Sequence, residues 1–146
     1  EIGKCAVMDD DAFDAYLSDT RIVRNGAKIA AIRDNAAFLL DLRKDGGAGQ
    51  VIGHWPDTDF IGLLDLLKTR GSRLGGSTAQ YALRFAGRNS WILSTDVVAR
   101  LTAEGVIDKI PTSKTALRQV QAAFNTWMDQ SGRGLTQVSR VLAMTV

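Results

Sequence analysis

Apolar residues recur at intervals of three and four along almost the whole chain, and nowhere do they alternate with polar ones long enough to make a strand. Trp91-Ile92-Leu93 is the best strand candidate and is too short to count. The helical segments also carry their own boundaries. Asp10 or Asp11 caps a short helix to residue 17, and Asn25 caps a longer one to about residue 44, closed by Gly46-Gly47. Inside it Ile29, Ile32, Ala36 and Leu39 or Leu40 keep helical spacing. Residues 50–55 are a short apolar piece stopped by Pro56. Asp57 or Thr58 then opens a helix through Phe60, Leu63, Leu64 and Leu67 that ends near Gly71. Another helix covers 77–86. Ser94 or Thr95 caps 97–104, and Thr112 or Ser113 caps the periodic run Leu117, Val120, Phe124, Trp127 and Met128. A last helix runs from about Leu135 towards the C-terminus. The expectation is one all-α domain over residues 1–146, helix packed on helix.

Composition removes several alternatives. With 45% apolar and 23% charged residues the chain is an ordinary globular one, long enough to bury a core. No apolar run approaches the roughly 18 residues of a membrane span, and no signal peptide is visible. A cytoplasmic location and no membrane partner are expected. Cys5, the only cysteine, excludes an internal disulfide and is read as structural or incidental. Together with His54, the only histidine, it falls short of the four ligands of a structural zinc site, so no zinc is expected.

Net charge is only +2, but its distribution is uneven. Residues 1–20 hold six acidic residues against Lys4 alone. From 68 to 88 stand Lys68, Arg70, Arg73, Arg84 and Arg88 with no acidic residue among them. The glycine pair of Leu74-Gly75-Gly76-Ser77-Thr78 lies inside this basic stretch. A helix over 58–69, a turn over 70–76 and a helix over 77–87 make a helix-hairpin-helix. Glycines let its backbone come close to a ligand, and the unpaired amides at the start of the second helix suit a phosphate. Such contacts position DNA without reading its sequence. The alternative is a helix–helix turn with no ligand, its charges a solvated face.

Leu74-Gly75-Gly76-Ser77-Thr78, followed by Tyr81-Ala82, resembles the hairpin of the DNA-3-methyladenine glycosylase I family, within the helix-hairpin-helix glycosylase superfamily. The segment from Asp19 to Ile29 is similar to that family's "IVRN-x-x-KI" motif, and the two occur in the family's order. The similarity runs from about Leu17 to the C-terminus. It implies a base-excision repair enzyme that extrudes an alkylated purine such as 3-methyladenine and hydrolyses its N-glycosidic bond. Arg73 and the backbone of Gly75, Gly76, Ser77 and Thr78 would hold a phosphate of damaged double-stranded DNA, the expected partner of a monomer. Hairpin carbonyls would hold a monovalent cation, and no other cofactor is implied.

The resemblance also draws attention to Asp96, where many superfamily members place a catalytic aspartate. A carboxylate there would stabilise the oxocarbenium-like sugar or activate water. Equally, an Asp beside Ser94 or Thr95 suits the first turn of a helix. Arg24, Asn25 and Lys28 have two readings as well. Arg24 and Lys28 share a helix face and reach a phosphate, or Asn25 caps the helix while the two cations pair with Asp19 or Asp34. Trp55, Trp91 and Trp127 are read as packing and His54 as a boundary residue. No lysine lies between Lys68 and Lys109, so the hairpin and the Asp96 segment hold no amine nucleophile and a monofunctional hydrolase is expected.

Two parts of the family pattern have no counterpart. The aromatic, acidic base-pocket motif upstream of "IVRN" does not match residues 1–20, and Gln137-Val138-Ser139-Arg140-Val141-Leu142 stands where zinc ligands would be sought. The chain begins at Glu1, which fits the C-terminal part of a longer glycosylase-like protein. The competing expectations are a non-catalytic helix-hairpin-helix DNA-binding module, or inactive glycosylase fragment, and an all-α protein-interaction domain.

Overall fold

The computed structural model describes residues 1–146, and every regular element is helical, as the apolar spacing predicts. In chain order these are α1 (Ile2–Ala6), α2 (Asp10–Ser18), α3 (Gly26–Asp41), α4 (Phe60–Arg70), α5 (Gly76–Phe85), α6 (Thr95–Ala103), α7 (Lys114–Ser131) and α8 (Leu135–Met144). Side-chain caps fix half of the starts. Asp9, Asn25, Ser94 and Ser113 each accept a backbone N–H in the first turn of α2, α3, α6 and α7. The cap of α2 is thus one residue earlier than expected, and α1 was not anticipated. Past α3 the chain tightens into a 3-10 turn, Leu42–Asp45, and stops at Gly46 with φ of +92°. The apolar piece ahead of Pro56 is a single π-helical turn, Gly49–Gly53. No helix is long and apolar enough to cross a membrane.

The residues group into two compact units. The first holds Glu1–His54 with Leu66–Leu74, the second Trp55–Asp65 with Gly75–Val146.

In the first unit α1 and α2 pack on α3. Ile29 and Ala36 are buried on one side of α3, and Ala31 and Phe38 on the other, with Leu42 buried just beyond its end. A helix covered on two sides has no single apolar stripe. Ile32, expected in the core, falls in the gap between them and is half exposed.

The second unit is built around an aromatic cluster. Trp91 meets Phe60 edge-on with centroids 4.9 Å apart, touches Phe124 at the same separation, and Phe124 continues to Trp127 at 5.9 Å. Leu63, Val97, Leu101, Val120 and Leu135 are buried in the same unit. Full burial of Trp91 at this centre accords with its reading as packing.

Residues 89–94 have no regular secondary structure, and no strand exists to bond them. Side chains from flanking helices take that role. Thr136 Oγ1 accepts from the Ser90 N–H at 3.0 Å, Ser139 Oγ from Ile92 at 2.9 Å, and Gln80 Oε1 from Leu93 at 2.8 Å. The Ser90 hydroxyl donates towards the carbonyls of Gln80 and Trp91. Buried backbone groups must be paired, and three helical side chains do here what a sheet would otherwise do. Gln121 and Asn125 of α7 secure the start of α4 likewise: Gln121 accepts from the Ile61 N–H, and the two amides donate to the carbonyls of Asp57 and Thr58.

Candidate nucleic-acid interface

Within the second unit, α5 begins differently from the capped helices. Its N-cap is Gly75, extended at φ −101° and ψ 162°, and no side chain bonds its first turn. Gly76 follows with φ of +55°, in the left-handed region that favours glycine. A Cβ on Gly76 would meet nothing within 4 Å, so the requirement is conformational and the backbone stands open. Gly76, Ser77 and Thr78 are all exposed. Their N–H groups lie in the first turn, where the helix supplies no acceptor. These exposed residues stand at the positive end of the dipole of a ten-residue helix.

Arg73 and Ser72 belong to the first unit. Arg73 is exposed, and its φ of +57° makes it the only non-glycine residue with positive φ. Ser72 is tied to the Asn35 side chain on α3 through both its backbone groups.

The basic stretch from Lys68 to Arg88 does not survive as a patch. Arg70 lies over the Phe38 ring and pairs with Asp41 at 2.6 Å. Arg88 is largely buried, pairs with Asp57 at 2.5 Å and donates to the Trp55 carbonyl. Arg84 is half-buried and donates to the Ser90 carbonyl. Carboxylates distant in sequence thus neutralise two of the five cations and packing engages a third, while Lys68 and Arg73 stay exposed.

The segment around Asn25 lies wholly in the first unit. Asn25 Oδ1 accepts from the Lys28 N–H at 3.1 Å, so it is the cap of α3. Arg24 precedes that cap and is not helical, so it does not share a helix face with Lys28 as the spacing suggested. Neither cation pairs with Asp19 or Asp34. Asp19 instead binds Arg21 through both oxygens, and these bonds hold its carboxyl below the usual range. Arg24, Asn25 and Lys28 are all exposed.

Asp96 occupies the first turn of α6, exposed to water, with Ser94 as the cap. Trp55 donates its indole N–H to the Asp59 carbonyl at 2.9 Å, and His54 is exposed. Two concavities are evident. One of about 320 Å³ is lined by Arg100, Glu104, Trp127, Arg133, Val138 and Leu142 among others; the other lies along α2 beside Tyr16 and Arg21. Neither includes Asp96 or residues 73–78. Trp127, expected in the core, is half-buried and forms a wall of the first.

Sequence reasoning passed over Tyr81, Phe85 and Arg140. Their exposure has a weak signal in the pattern: Ala79, Gln80 and Leu83 form the buried face of α5, which leaves both rings on its outer side. Compared with protein-family models, with curated proteins and with solved structures, the chain returns no match.

Proposed function

We propose that the chain is a DNA-binding protein of the helix-hairpin-helix glycosylase type, acting as a monomer on damaged duplex DNA. The observation that supports this best is the exposed start of α5, where no side chain caps the amides of Gly76, Ser77 and Thr78. A phosphate there receives several N–H bonds and the helix dipole together, contacts that carry no sequence information. Arg73, and separately Arg24 and Lys28, supply exposed positive charge on the first unit. The monovalent cation implied by the resemblance would lie on hairpin carbonyls. The Ser72 carbonyl already accepts from Asn35.

In the enzymatic form of this reading the substrate is an alkylated purine such as 3-methyladenine, rotated out of the duplex. The bond between sugar C1′ and the base nitrogen breaks, water adds at C1′, and the base leaves with a proton. Asp96 would stabilise the positive charge that builds on the sugar. A second reading, a DNA-binding module without this chemistry, is favoured by the exposure of Asp96 to water, where one charge stabilises another weakly.

Two measurements separate these readings. Gly76→Pro removes an amide donor and demands φ near −65° where the backbone has +55°. It is expected to weaken duplex binding across sequences, and duplex affinity that is unchanged, or insensitive to salt in the parent chain, overturns the phosphate grip. Release of 3-methyladenine from alkylated DNA, abolished by Asp96→Asn with binding retained, supports the enzyme; binding without release supports the module.

A further inference from the structure

The outward side of α5 carries two aromatic rings with nothing over them. Tyr81 is 45% exposed and Phe85 84% exposed. One helical turn apart, they stack with centroids 6.1 Å apart and planes inclined by 29°. Folding gains little from rings placed there, and exposed paired aromatics mark contact surfaces.

Unbalanced charge accompanies them. Arg84 Nη2 donates to the Ser90 carbonyl, its Nε is buried without a partner, and no carboxylate pairs with it. Arg140 on α8 is exposed and unpaired, and it lies one helical turn beyond Thr136, whose hydroxyl donates to the same Ser90 carbonyl as Arg84. Burial and then that like charge push the Arg84 guanidinium below its ordinary value, with Tyr81 acting the other way. The other partly buried arginines of this unit avoid the problem: Arg88 has Asp57 and Arg100 has Glu104. An anion at Arg84 and Arg140 would relieve the repulsion.

We infer that Tyr81, Phe85, Arg84 and Arg140 form a second nucleic-acid contact, specific for single-stranded DNA, in which an unpaired base stacks on the two rings and an adjoining phosphate is held by the two arginines. Flat apolar rings beside uncompensated cations complement a strand that alternates bases with phosphates. The inference rests on the reading of the chain as a DNA-binding protein. An enzyme that extrudes a nucleotide creates the unpaired bases such a platform would hold.

The test titrates the full chain against a short labelled oligo(dT) and, separately, against a duplex of equal length. Phe85→Ala removes an outward ring without touching the core and is expected to weaken oligo(dT) binding about fivefold or more. Arg140→Glu should weaken it too and flatten its salt dependence. Both variants should leave duplex affinity unchanged. Absence of oligo(dT) binding by the parent chain, or binding indifferent to Phe85→Ala, overturns the inference, as does a dimer in sedimentation that Phe85→Ala converts to monomer. Duplex binding lost in Gly76→Pro with these negative results would retain the α5 amide grip and remove only the stacking site. Oligo(dT) binding sensitive to Phe85→Ala, in a chain whose duplex affinity ignores Gly76→Pro, would do the reverse.

Discussion

Asn35 and Ser72 exchange a pair of hydrogen bonds: Asn35 Nδ2 donates to the Ser72 carbonyl at 3.0 Å, and the Ser72 N–H donates to Asn35 Oδ1 at 2.8 Å. One amide from the middle of α3 thereby holds both backbone groups of a residue in the connection that follows α4. Conformational demands lie on each side of Ser72. A Cβ at Gly71 would stand 2.6 Å from the Leu67 carbonyl oxygen and 2.7 Å from Leu74 Cδ1. Arg73 adopts a left-handed backbone that costs an L-residue roughly 1–2 kcal/mol. Such a turn persists because its surroundings over-determine it.

Asn35→Ala should therefore destabilise the protein by about 1–3 kcal/mol, since it leaves two partly buried backbone groups unpaired. Asn35→Asp should not restore stability, because a carboxylate oxygen would replace the donor facing the Ser72 carbonyl. Urea denaturation reads both. An Asp variant as stable as the parent chain would mean that only the Ser72 N–H bond matters.

Arg88 and Arg73 should separate stability from binding. Arg88→Ala deprives Asp57 and the Trp55 carbonyl of their partner and should cost about 2–4 kcal/mol; the partial exposure of Asp57 keeps it from the largest values for buried pairs. Arg73→Ala should change stability by less than about 1 kcal/mol yet weaken duplex DNA binding at low salt. Thermal unfolding and a DNA titration on the same samples decide it. Equal stability of the Arg88 variant and the parent would show that the buried pair contributes nothing net.

Acid should unfold the protein partly through Asp19 and Asp41. Hydrogen bonds from Arg21 hold the Asp19 carboxyl below its ordinary value of 3.8. Lys44 first, and Arg70 in addition, do the same for Asp41. A carboxyl whose folded value is depressed stabilises the fold fully above its unfolded value and stops doing so as pH falls through the folded one. These two groups should thus leave stability flat from neutral pH down to about 4 and lower it below 3.8. Replacing both by Asn should make the acid limb shallower in a series of urea midpoints. An unaltered limb would place acid sensitivity elsewhere.

Much of the fold was legible because helix boundaries are written locally. Asn25, Ser94 and Ser113 cap where a short polar residue precedes an apolar rhythm, and Gly46 takes the left-handed stop. The basic stretch misled because the fate of a charge is decided by tertiary partners. Arg70 finds Asp41 from 29 residues away, and Arg88 finds Asp57 from 31. Gln80 likewise gives no local hint that it bonds Leu93, 13 positions away in a segment without regular structure. In the candidate site, the glycines announced the open turn before α5. The exposed rings at Tyr81 and Phe85 followed only once the buried side of that helix was known.

The side-chain ladder along residues 89–94 also bears on the order in which the second unit can assemble. Its Gln80 rung comes from 13 positions upstream, but the Thr136 and Ser139 rungs come from 46 and 47 positions downstream. On a growing chain, α5, α6 and α7 emerge while Ser90 and Ile92 still have only water for their amides. Closure of such distant contacts is slow relative to local helix formation. The C-terminal helix therefore acts as a keystone: until α8 is synthesised, the segment that carries Trp91 is bonded to α5 but lacks the rungs of Thr136 and Ser139.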